Sequence, residues 1–66
     1  MKLYQVQLET GDDIFILEVS TDAFDAVDIA REYLKGIGMD KPTSVGGYAE
    51  IGTSDKAGVV LYKRFP

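Results

Sequence analysis

The sequence predicts an α+β fold: four strands and one helix in the order ββαββ, with the helix packed on one face of an antiparallel sheet. Three observations carry this. Lys2–Glu9 (KLYQVQLE) alternates apolar and polar residues, while Ile14–Val19 (IFILEV) is almost continuously apolar. Residues 20–35 then change to helical spacing, and two further strand-like runs follow, Val45–Ile51 and Gly58–Phe65.

In the first strand Tyr4, Val6 and Leu8 share one face and Gln5, Gln7 and Glu9 the other, the pattern of a half-buried strand. Thr10-Gly11-Asp12-Asp13 is a turn, with Gly11 free to take positive φ. IFILEV suits a central strand covered on both faces. Ser20 or Thr21 caps a helix running to about Lys35; with Ser20 as the cap, Val19 and Phe24 fill the two positions of a hydrophobic staple. Gly36 or Gly38 stops it, and Gly38 would set Met39 against Leu34, the contact of a Schellman turn. Asp40-Lys41-Pro42-Thr43 is loop. Gly46 and Gly47 soften the third strand, 52–57 is a polar turn, and the fourth strand (GVVLYKRF) begins apolar.

Strands two and four carry apolar residues on both faces, which places them in the middle and gives the order 1-2-4-3, with a hairpin on each side of the helix. The competing order 2-1-3-4 leaves IFILEV on an edge, where such a strand invites aggregation.

At ~100° per residue the helix turns Ala23, Ala26, Val27, Ala30 and Leu34 to one side, flanked by Ile29 and Tyr33. Asp25, Asp28 and Glu32 fall on the opposite side, and Asp22 extends the acidic run towards the N-terminus. Acids in the first turns suit the helix dipole. The pairs Asp28–Arg31 and Glu32–Lys35 attract, while Asp25–Asp28 and Asp28–Glu32 repel by similar amounts. Stability therefore neither requires nor forbids the strip, which is a solvated face or a surface for a basic protein partner. Phe24 is either half of the staple or an aromatic anchor beside those acids.

One helix covers one side of the sheet. The alternation assigns Tyr4, Val6, Leu8, Phe15, Leu17, Val45, Ala49, Ile51, Val59 and Leu61 to the core. It leaves Ile14, Ile16, Tyr48, Val60 and Tyr62 on the open face, an apolar patch fit for a homodimer or another partner. A one-residue slip would exchange the faces.

The 66 residues make a single domain, 1–66, with a thin core. There is no cysteine or histidine, so disulfides, thiolate or imidazole metal sites and histidine acid–base catalysis are all excluded. Ser20, Ser44 and Ser54 have no histidine to activate them. The expectation is a chain without enzymatic activity, cofactor or metal. Net charge is −4, which opposes nucleic acid and anionic lipid and favours a basic protein. A strand-like use of Tyr48, Tyr62, Lys63 and Arg64 on single-stranded nucleic acid is the minor alternative. No segment has the length of a signal peptide's apolar run or of a membrane span, so a cytoplasmic location is expected.

In size and layout the hairpin YQVQLETGDDIFILEV, the acidic segment TDAFDAVDIAREYL and the closing hairpin resemble the small phage-borne inhibitors, including anti-CRISPR proteins. The resemblance implies stoichiometric inhibition of a nucleic-acid-binding machine in a bacterial host, with Asp25, Asp28 and Glu32 in a basic groove in place of phosphates. The expected function is a non-catalytic protein–protein interaction module; a structural or regulatory domain dimerising through its sheet is the alternative.

Overall fold

A computed structural model describes residues 1–66 as β1 (Lys2–Glu9), β2 (Ile14–Thr21), α1 (Ala26–Gly36), β3 (Ser44–Thr53) and β4 (Gly58–Phe65). The four strands form one antiparallel sheet. The α+β class and the element order are those the residue pattern implies. The strand order is not: it is β3-β1-β2-β4, which corrects both 1-2-4-3 and 2-1-3-4.

The reason lies in how little of the sheet is covered. With a helix on one side only, β1 needs just its Tyr4, Val6 and Leu8 face buried, so its glutamines face outward from the centre without cost. For the same reason β4 needs no neighbour on its outer edge to cover a second apolar face. The first hairpin is therefore the middle of the sheet, and β3 and β4 flank it instead of pairing with each other. Residues 54–57 carry the chain across the end of that hairpin. There the Ser54 amide donates to the Met1 carbonyl and the Met1 ammonium donates back to the Ser54 carbonyl, each at 2.9 Å. The Ser20 hydroxyl reaches the same carbonyl at 3.5 Å.

β1 and β2 pair without interruption, Tyr4 opposite Val19, Val6 opposite Leu17 and Leu8 opposite Phe15. These six side chains form the core with Ala26, Ala30 and Leu34 of α1. Val6, Leu8, Phe15, Leu17 and Val19 are fully buried, each worth about 1.5–3 kcal/mol relative to exposure. The core is nonetheless small: 11 of 66 residues are buried, and none of them is on β3 or β4.

The outer strands break their alternation. The β1–β3 register shifts between Leu3 and Tyr4 and again between Gln7 and Leu8, making Ile51 and Gly46 the extra residues. The β2–β4 register shifts between Glu18 and Val19, making Val60 the extra residue. Each bulge moves later residues to the other face. Gly46 has a packing reason to lack a side chain, because a Cβ there would collide with the Glu9 carboxylate.

The helix begins later than its spacing suggests. Ser20 and Thr21 belong to β2, both buried, and Asp25 is the N-cap residue without a capping side-chain bond. Val19 lies in the core and Phe24 is 92% exposed, so there is no hydrophobic staple. Ala23 is exposed ahead of the helix. At the other end Gly38 settles the stop: its φ is 94°, its amide donates to the Lys35 carbonyl at 3.1 Å, and the Met39 amide donates to Leu34 at 2.9 Å. This is the Schellman pattern, and Met39 packs against the core beside Leu34.

Candidate interaction surfaces

Three surfaces carry the chemistry available to this chain. The first is the corner between β2 and α1. Thr21 shapes it: its hydroxyl accepts from the Ala23 amide at 3.2 Å and donates to the Asp25 carboxylate at 2.7 Å. Locally satisfied in this way, residues 22–24 bulge outward and Phe24 projects into solvent. Asp22 is exposed beside it and Asp28 lies in the first turn of the helix, with Glu32 a turn further; all three are exposed, whereas Asp25 is half-buried. The acidic strip therefore divides. Asp28 and Glu32 share a helix face, while Asp22, Phe24 and Asp25 sit on the preceding turn.

The helical pairs expected to offset this charge do not form. The chain's three ion pairs are Lys2–Glu50, Lys41–Asp12 and Arg64–Asp13. Arg31 donates instead to the Thr43 hydroxyl and carbonyl, both at 3.1 Å. Asp28 and Glu32 stand uncompensated at close range.

The second surface is the open side of the sheet. Ile14 and Ile16 lie there as expected, but Tyr48, Tyr62 and Val60 do not join them. Tyr48 stacks on the core residue Tyr4 at 5.3 Å. Tyr62 stacks on Phe15 at 6.5 Å and meets Tyr33 of the helix at 5.5 Å. Both tyrosines thus belong to the helix side, and Val60 occupies the β4 bulge. Part of the expected core is overturned: Val45 keeps the helix side, opposite Leu8, but is exposed on its edge strand, Ile51 is exposed at a bulge, and beyond the bulges Ala49 faces Gln5 and Leu61 faces Glu18, both on the open side. In place of the tyrosines the register brings Leu61 and Phe65 next to Ile16 and Ile14.

The third is a cleft of about 480 Å³ at the helix C-terminus, floored by Leu34 and Met39 and rimmed by Arg31, Lys35 and Lys41. Three of the chain's seven basic residues meet here, a gathering not evident beforehand. Its signal was the placement of Arg31 and Lys35 one turn apart, followed by a chain reversal at Gly38 that brings Lys41 back. Arg31 is bound to Thr43 and Lys41 lies 3.8 Å from Asp12, which leaves Lys35 as the free cation.

The residues expected to read nucleic acid are scattered. Tyr48 and Tyr62 lie on the helix side at opposite edges of the sheet, and Lys63 faces the open side. Arg64 donates to Asp13 through two nitrogens at 2.6 and 3.1 Å and lies over the Phe15 ring. No group of three carboxylates is arranged to hold a metal ion, and no helix is long and apolar enough to cross a membrane.

No protein-family model matches the chain, and no curated protein or solved structure matches it either. The chain folds as a small α+β domain with one covered and one open sheet face, and an acidic, aromatic corner.

Proposed function

We propose that the chain is a non-catalytic protein–protein interaction module. Its contact corner is Phe24 with Asp22, Asp28 and Glu32, and its partner presents a basic surface with an apolar recess. The observation that carries this reading is the 92% exposure of Phe24. A core-poor chain has every reason to bury a phenylalanine, and burying it in a partner would gain about 1.5–3 kcal/mol. Phenylalanine, like the other aromatic residues, is enriched in the buried centres of interfaces. The flanking carboxylates add electrostatic steering towards a positive surface.

The resemblance to phage-borne inhibitors extends the proposal to a partner that itself binds nucleic acid, with Asp28 and Glu32 taking the place of phosphates. The test is capture by the immobilised protein from an extract of its source cells, repeated with Phe24→Ala and with Asp28→Lys/Glu32→Lys. Both variants should lose a basic protein that the wild type retains, and both should keep the circular-dichroism spectrum of the wild type. An oligonucleotide should displace that protein if the site is a nucleic-acid groove. Equal capture by all three forms would reject the corner as the binding site.

A further inference from the structure

Phe24 and its flanking acids call for a basic rim around an apolar recess, and the chain carries such a recess itself. The cleft at the C-terminal end of α1 has a volume of about 480 Å³, a floor of Leu34 and Met39, and a rim of Arg31, Lys35 and Lys41 with Asp40 as its one acid. That volume lies within the ~300–1,000 Å³ of pockets that hold ligand-sized groups. Lys35 has no partner in the chain, and Arg31 spends Nε and Nη2 on Thr43, keeping Nη1 free. Bare carbonyls at the helix end would repel an incoming acid, but those of Tyr33, Leu34 and Lys35 accept from the amides of Ile37, Met39 and Gly38. Glu32 lies about 100° round the helix from Arg31, beyond Lys35 and away from the cleft. At the other end of α1, Phe24 is 92% exposed among Asp22, Asp25 and Asp28. Lys2, opposite Thr21 on β1, is engaged with Glu50 and does not offset them.

We infer that this cleft receives Phe24 of a second copy of the chain, whose Asp22 and Asp28 meet the rim cations. This rests on Phe24 being a docking side chain, and names an occupant for the recess that such a side chain needs. The two surfaces belong to opposite ends of an 11-residue helix, about 16 Å long. Phe24 therefore cannot reach the cleft of its own chain, and the contact passes between copies. It is heterologous: corner meets cleft, and no residue is set against its own copy. Chemistry selects this occupant. A lone inorganic anion would meet the cations and leave the apolar floor wet, and a purely apolar group would cover the rim cations without pairing them. The corner supplies a ring and carboxylates together. One ring and its flanking acids cover less than the ~800 Å² per partner of a standard interface, so association is weak. Each junction leaves a free corner at one end and a free cleft at the other, so association continues into open oligomers. While a junction holds, its corner is closed to the basic partner, and self-association competes with capture.

Sedimentation equilibrium over a concentration series at low salt tests it. The wild type should associate reversibly, and Phe24→Ala and Lys35→Glu should each weaken that association by roughly tenfold or more. Both side chains are exposed, so both variants should keep the wild-type circular-dichroism spectrum. Mixed together, the two variants should associate again and stop at a dimer. The Lys35→Glu chain brings an intact corner, the Phe24→Ala chain an intact cleft, and no second junction can form. A wild type that stays monomeric, a Lys35→Glu chain that associates as the wild type does, or a mixture no better than its components overturns the inference. Capture of the basic protein is read separately: Lys35→Glu should retain it and Phe24→Ala should not. A monomeric wild type that still captures through Phe24 removes only the second copy, whereas capture indifferent to Phe24 removes the corner itself.

Discussion

The inner and outer strands of this sheet follow different rules. β1 and β2 keep a strict period of two, pair without a break, and bury six alternate side chains under the helix. β3 and β4 bulge three times in all and place no residue among the buried set. The inner pair supplies the sheet's share of the core, and the outer pair is the exposed margin of the sheet. Bulges also blunt an exposed edge. β3 carries a single charged residue, Glu50, and its two irregularities guard it against pairing with other strands where charge does not.

Substitutions should expose that division, beginning with the largest effect. Leu17→Ala, in the fully buried centre of β2, should cost about 2–5 kcal/mol. A domain of this size rarely has more than ~3–5 kcal/mol of stability, so the variant should be largely unfolded by circular dichroism at room temperature. Gly38→Ala comes next. No atom obstructs the added methyl, but φ is +94°, and the strain should lower stability by roughly 1–2 kcal/mol, seen as a lower melting temperature. Val45→Ala on β3, where the side chain is 47% exposed, should change stability by no more than about 0.5 kcal/mol. A Val45 effect rivalling that of Leu17 would break the distinction between inner and outer strands.

The same contrast explains what could be read from the residues. The faces of β1 and β2 were legible because nothing interrupts their alternation; Ile14 and Ile16 are on the open side and Phe15 and Leu17 in the core, as their spacing implies. Tyr48, Tyr62 and Leu61 were assigned to the wrong faces because each lies beyond a bulge, and one extra residue inverts everything after it. Gly46 hints at such a site, but Ile51 and Val60 give no local sign. Strand order was misjudged on the premise that two apolar faces require a central position, which fails when one side of the sheet is open. The helix start was misplaced because Thr21, a good cap by residue type, spends its hydroxyl on Ala23 and Asp25 within the turn. That displacement took Phe24 off the helix and left it exposed.

The proposed contact corner is tested most directly by a residue-resolved map of contact. An isotope-labelled chain is titrated with the captured basic protein while its amide resonances are followed. The largest changes should fall on residues 22–28, extend to Glu32, and vanish with Phe24→Ala. Changes centred on β3, β4 or the cleft at Lys35, with residues 22–28 unmoved, would contradict it.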